Sequence, residues 1–104
     1  MRHDWTMEQV SEGLAAGSIL LVDVREPHEF EMGHIPGSIL MPLSQFDASA
    51  LPVEPGKRLV FSCAAGVRSL RALELARAAG LDADTHYIGG FKDWFMSGGE
   101  VERG

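Results

Sequence analysis

Basic residues are in short supply in this chain. Nine Lys and Arg stand against 15 Asp and Glu, giving a formal charge of −6. With no basic stripe to offset that balance, a nucleic-acid surface is excluded, and an anionic membrane is an unfavourable partner. Cysteine is used once, at Cys63. One thiol forms no internal disulfide and builds no multi-cysteine zinc site. His3, His28, His34 and His86 show no metal-ligand spacing, so neither a metal nor a cofactor is expected. Long apolar runs are missing too. The longest, Ile19 to Val22, falls far short of a membrane span. No apolar stretch follows Met1-Arg2-His3-Asp4-Trp5, so no signal peptide is expected and the cytoplasm is the expected compartment. Internal repeats, low-complexity tracts and interdomain linkers are absent from the sequence.

What remains has ordinary globular proportions, 45% hydrophobic and 23% charged, in 104 residues. That length suits one domain, residues 1–104, able to bury a core without staples. Thr6-Met7-Glu8-Gln9 fits a capping box and predicts a helix over Met7–Ala16, stopped at Gly17. Ile19–Val24 and Arg58–Ser62 are short, apolar and partly β-branched, the pattern of strands buried on both faces. Between them the spacing predicts a helical turn over Pro27–Met32, a short strand over Ser38–Met41 and a short helix over Ser44–Ala50. Pro52, Pro55 and Gly56 mark a surface loop. A helix beginning near Val67 places Ala72, Leu73, Leu75, Ala76 and Ala79 on one face. Arg71, Glu74 and Arg77 lie opposite, Leu70 falls among the polar positions, and Gly80 is the stop. A further strand over Thr85–Ile88 and a last helix over Phe91–Met96 complete the alternation. It argues for an α/β fold with a mostly parallel sheet of four or five strands and helices on both faces.

One place looks chemical. Cys63 follows a strand and precedes a glycine-bearing turn and a helix start, and ligands of open α/β sheets gather beyond the carboxyl ends of strands. The helix would aim its free N–H groups and positive dipole end at the loop, favouring a thiolate and cradling an anion. Gly66 permits the positive φ that lets successive amides converge. Arg68 can curl back as a charged donor fork, and Ser69 can offer a hydroxyl to the thiolate or to a bound oxyanion. A lone cysteine after a strand is otherwise a small buried hydrophobe; the company of Gly66 and Arg68 tips the reading to a nucleophile.

The run Cys63-Ala64-Ala65-Gly66-Val67-Arg68-Ser69 resembles the active-site loop of rhodanese-type sulfurtransferases. The resemblance covers nearly the whole chain. It extends to Leu21–Glu26 with Glu29-Phe30, to Gly33–Ser38, and to Tyr87–Trp94 with Gly98, in the family's order. Leu40 departs from a frequent asparagine, and Gly99-Glu100 from a frequent Leu-Pro-like pair. The resemblance implies the rhodanese-like fold and a persulfide mechanism. Cys63 would take sulfur from a donor such as thiosulfate and pass it to cyanide or a biological thiol, with Ala64, Ala65, Gly66, Val67, Arg68 and Ser69 holding the substrate. A protein sulfur acceptor is a further partner the resemblance leaves open, and a monomer is favoured.

Asp23 and Arg25 share a strand face and are expected as a structural pair with Glu29 as a further partner, rather than as an anion site. His34 is expected to fix a turn. Phe91 and Trp94 are expected in the core. Two competing functions stay in view. A cysteine phosphatase would also use thiolate, cradle and arginine, but with five residues between Cys and Arg where four stand here. A sulfur carrier or regulatory module acting on a protein partner is the other.

Overall fold

The computed structural model describes residues 2–104. In chain order it contains β1 (His3–Trp5), α1 (Met7–Ala16), β2 (Ile19–Asp23), α2 (Pro27–Met32), β3 (Ile39–Leu40), β4 (Arg58–Ser62), α3 (Val67–Ala78), β5 (Thr85–Tyr87) and α4 (Gly90–Met96). The strands form one sheet in the order β1-β5-β4-β2-β3, and every neighbouring pair is parallel. The α/β architecture expected from the alternation is therefore present. β1 is a fifth strand that the sequence pattern did not suggest. Its three residues, His3 and Asp4 exposed and Trp5 half-buried, carry no apolar run, and only the pairing with β5 makes them a strand.

The local signals explain most boundaries. Thr6 and Gln9 exchange the two hydrogen bonds of a capping box at the start of α1, and Gly17 closes it in the left-handed region at φ 66°. α3 ends in a Schellman-type turn: Gly80 N–H donates to Arg77 O and Leu81 N–H to Ala76 O, with Gly80 at φ 91°. The short helix expected over Ser44–Ala50 is instead two 3₁₀ turns, Leu43–Gln45 and Ala48–Ala50. Asp47 separates them, because its carboxylate accepts from the Ser49 N–H and holds the backbone extended at φ −136°.

Two apolar clusters lie on opposite faces of the sheet. Val22, Val24, Phe61 and Cys63 pack with Ala72, Leu73 and Ala76 of α3 on one. Ile19, Leu21, Val60 and Tyr87 pack with Val10 of α1 and Trp94 of α4 on the other. Leu70, the misfit on the helical wheel, joins the first cluster as a partly buried residue, because the 43–51 segment covers that flank of α3. Ala79 is exposed and Leu75 only half-buried, because both line an open groove between α3 and residues 46–49 rather than facing the sheet. Trp94 is core, as expected, while Phe91 is half-buried at the rim. Among the described residues no helix is long and apolar enough to cross a membrane.

Connections leave the sheet in opposite directions from β2 and β4. The chain runs outward from β2 to β3 and outward from β4 to β5, so the carboxyl ends of the central pair flank a crevice. Asp23 and Ser62 face each other at those ends, and Val24 N–H donates to Ser62 O at 2.8 Å. A buried ion pair closes the β2 side. Arg25 Nη2 lies 2.7 Å from Asp23 Oδ2, with both side chains 5% exposed. Breaking such a pair leaves a charge unpartnered in the interior, at a cost of about 3–5 kcal/mol. Asp23→Ala is therefore expected to lose stability on that scale in urea unfolding. A loss below about 1 kcal/mol would show that water reaches Arg25.

Candidate active site

The site is the loop between β4 and α3. Cys63 is 1% exposed, with its sulfur turned toward the following amides. Gly66 N–H donates to Sγ at 3.1 Å. Gly66 stands at φ 88°, and a Cβ there would run into the carbonyl oxygen of Ile88. The tight turn and the close approach of the β5–α4 connection thus both require glycine. That connection also orients the loop from behind. Phe91 N–H donates to Cys63 O at 2.7 Å, and Lys92 N–H to Ala64 O at 3.0 Å. With these two carbonyls drawn toward α4, the amides that follow face the sulfur.

Their effect appears in the acidity of the thiol. Burial pushes the Cys63 thiol up, but hydrogen bonds from the Ser69 hydroxyl and from the amides of Ser69, Ala65 and Gly66 outweigh it. The balance lies below the ordinary thiol value. Ser69 is wholly buried, and its hydroxyl lies 3.5 Å from Cys63 Sγ and 2.9 Å from His86 Nδ1. Of the two roles open to it from sequence, contact with the sulfur is the one the geometry favours. Ala65 and Val67 are exposed at the loop's rim, and Ala64 is half-buried.

Arg68 departs from expectation. Its fork does not turn to the sulfur but closes on Glu29, with Nη1 to Oε1 at 2.7 Å and Nη2 to Oε2 at 2.9 Å. A carboxylate presented by α2 matches the two parallel N–H bonds better than a single sulfur does. The guanidinium remains near enough for its charge and that of Cys63 to act on each other. Glu29 was expected beside Asp23 and Arg25. Arg25 instead makes its bidentate pair with Asp23 alone, donates from Nη2 to Gly33 O at 2.8 Å, and lays its guanidinium 4.4 Å from the Phe91 ring centroid. Its Nε and Nη2 donors are occupied inside the fold. His34 fixes a turn: Nδ1 lies 2.9 Å from Phe30 O, the ring stacks on Phe30 at 3.7 Å, and the backbone bridges to Glu102. Sequence reasoning missed His86, which lies beneath the site. Spacing alone gives no sign of it, because its side-chain partners, Ser69 of α3 and Asp4 of β1, come from two distant elements.

The Arg68 fork pulls the Glu29 carboxyl from 4.5 down to about 2. A folded value below the unfolded one means the pair stabilises the fold above about pH 4.5, and that this contribution is lost as pH falls toward 2. Glu29→Gln is therefore expected to flatten the fall of stability across that window, measured by urea midpoints from pH 5 to 2. An unchanged slope would mean the pair opens in solution.

Comparison with known proteins agrees with this geometry. The model of the rhodanese-like domain matches residues 6–97. A mouse protein named thiosulfate sulfurtransferase/rhodanese-like domain-containing protein 3 is 40% identical over 103 residues, covering 86% of this chain. This chain spans only 66% of that protein's length. Human thiosulfate:glutathione sulfurtransferase is 35% identical, covering 78% of this chain and 83% of its own. The solved structure of the human single-domain sulfurtransferase TSTD1 superimposes with a TM-score of 0.78 at 31% identity, over 89% of this chain and 95% of the other. With the parallel sheet, the cysteine loop and the family model all covering the same residues, the chain belongs to the rhodanese-like domain family.

Proposed function

We propose that this chain is a sulfurtransferase that moves a sulfane sulfur through a persulfide on Cys63. The observation that carries the reading is the sulfur of Cys63 held against Gly66 N–H at the start of α3, with the thiol's acidity raised. The Cys63 thiolate attacks the outer sulfur of thiosulfate. The S–S bond of the donor breaks, its electron pair leaves with sulfite, and Cys63 carries S–S⁻. An acceptor thiolate then attacks the outer sulfur, leaves as a persulfide, and returns the Cys63 thiolate; cyanide takes the same sulfur as thiocyanate. The amides of Ala65, Gly66 and Ser69 that lower the thiol's pKa are the donors available to the terminal anionic sulfur. Ala64, Gly66 and Val67 shape the wall, and the charge of Arg68 favours the approach of an anionic donor. The small apolar rim of Ala64, Ala65 and Val67 suits a thiol acceptor. The names of the mouse and human relatives support thiosulfate as donor and, for the human one, glutathione as acceptor.

Loop length separates this reading from phosphate-ester hydrolysis. A phosphoryl group needs donors for three oxygens in its transition state, whereas a persulfide needs only one anionic sulfur enclosed. Four residues between Cys63 and Arg68, and an Arg68 fork already closed on Glu29, leave too few donors for the former. Incubation with thiosulfate is expected to add the mass of one sulfur to Cys63, removable by cyanide or dithiothreitol and absent in Cys63→Ser. Aryl phosphates are expected to turn over at background rate. A protein that hydrolyses them and never gains sulfur would replace this reading with the phosphatase one. The alkylation midpoint of Cys63 is expected below the free-thiol value of about 8.5, and to rise in Arg68→Ala. A midpoint at or above that value would remove the activated thiolate from the mechanism.

A further inference from the structure

A buried polar chain leads away from Cys63 on the side opposite the loop. Register builds it. β5 pairs with β1 so that His86 stands beside Asp4, and with β4 so that His86 stands beside Phe61. Alternation along β5 sends Tyr87 to the α1–α4 face and His86 to the α3 face. There Ser69, in the first turn of α3, meets it. The links run Cys63 Sγ to Ser69 Oγ at 3.5 Å, Ser69 Oγ to His86 Nδ1 at 2.9 Å, and His86 Nε2 to Asp4 Oδ1 at 3.1 Å. Ser69 and His86 are 0% and 2% exposed, and the Asp4 side chain, 31% exposed, is where the chain of bonds meets solvent.

The polarity of these bonds follows from the end of the chain. The Asp4 carboxylate only accepts, so His86 Nε2 carries the hydrogen. Nδ1 of the neutral ring then accepts, and the Ser69 hydroxyl donates to it. That leaves a Ser69 lone pair for the Cys63 S–H. The hydrogen-bonded sequence is thus a thiol donating to a hydroxyl, a hydroxyl to an imidazole, and an imidazole to a carboxylate.

We propose that His86, backed by Asp4, is a positioning residue that takes up the Cys63 thiol proton through Ser69. The inference rests on the sulfurtransferase reading for its purpose but not for its geometry. The proton of Sγ passes to Ser69 Oγ as the Ser69 proton passes to His86 Nδ1. Every hydrogen bond in the chain up to Nδ1 reverses direction, and no heavy atom moves. The Ser69 O–H now donates to the thiolate, and the imidazolium faces the Asp4 carboxylate. The net charge of the buried chain is unchanged, so the thiolate forms without importing charge into the core.

The groups bearing on His86 support this division of labour. Burial pulls the imidazole below its ordinary value, and Asp4 pushes it back by charge and hydrogen bond. The charged groups acting on it are Asp4 and Arg2, themselves paired at 2.9 Å beside β1. The neighbouring positions of the other two elements bring no charge, with Phe61 on β4 and Ser69, Ala72, Leu73 and Ala76 on the buried face of α3. An imidazole that resists protonation while the thiol is intact, and gains a second anion once the thiolate forms, couples the two titrations.

The test reads the His86 ring directly by ¹⁵N NMR of the wild-type protein and of Cys63→Ala at pH 7. The wild type is expected to show imidazolium character at His86, and Cys63→Ala a neutral ring protonated at Nε2. Identical His86 spectra in the two proteins would overturn the proposal. Two variants extend it to reactivity. His86→Asn keeps a partner for Ser69 but cannot hold the proton. Its iodoacetamide alkylation at pH 7 is expected to slow about tenfold and to converge on wild type at high pH. Asp4→Asn, at the partly exposed end, is expected to shift the profile the same way by less, and it covers the case in which His86→Asn does not fold. Unmoved pH profiles would reduce His86 to a packing residue. The sulfurtransferase reading is judged separately, by the sulfur gained on wild-type Cys63. Either result can fail while the other stands.

Discussion

Two hydrogen bonds decide which way the loop after β4 faces: those from the amides of Phe91 and Lys92 to the carbonyls of Cys63 and Ala64. A peptide unit that turns its carbonyl one way turns its amide the other, so drawing the Ala64 oxygen toward α4 turns the Ala65 N–H away from it, and Ala65 N–H joins Gly66 N–H on the sulfur. The contact demands close approach. Gly90 sits at φ 66°, and a Cβ there would collide with the Cys63 and Ala64 carbonyls. Gly66, at φ 88°, is pressed against Ile88 O in the same way. The two glycine turns lock the β4–α3 loop and the β5–α4 connection into one body, and the thiolate cradle is a product of that lock.

The charged residues around the crevice then divide into those that hold the frame and those that act on the sulfur. Arg25 is consumed by Asp23, Gly33 and Phe91, which ties the end of β2 to the turn after α2 and to α4. His34 joins the same turn to Glu102 near the C-terminus. Arg68 is held by Glu29 at both oxygens, which fixes the first turn of α3 against α2. Pinned there, its charge reaches Cys63 as a fixed field rather than as a mobile ligand. Tyr87, whose hydroxyl donates to Asp93 at 2.6 Å, anchors α4 from beneath, and burial together with that bond pushes its acidity far out of the neutral range.

Departures from the family's frequent sequence have local physical grounds. At Gly99 a Cβ would meet the Trp94 indole, whose Nε1 donates to Glu100 O at 2.7 Å, so the tight turn after α4 takes the place of a bulkier pair. Leu40, half-buried at the end of the two-residue strand β3, stands next to Asp23 in register, with β2 between it and the strand that leads to Cys63.

Much of this protein was legible from residue order alone, wherever a property is carried by neighbours in sequence. The capping box at Thr6, the apolar runs of β2 and β4, the glycine stops at Gly17 and Gly80, and the strand–Cys63–Gly66–helix order all act within a few residues. Local chemistry dictated them. A mostly parallel sheet of four or five strands followed from their alternation. What the chain order left open were pairings between distant elements. β1 is a strand only because β5 offers it an edge. Leu70 is partly buried only because the 43–51 segment folds over it. Arg68 could have met the sulfur or a carboxylate, and the placement of α2 gave it Glu29. The line from Cys63 through Ser69 and His86 to Asp4 draws on the β4–α3 loop, α3, β5 and β1. Its members stand up to 82 residues apart, and strand register with the tilt of one helix brought them into contact.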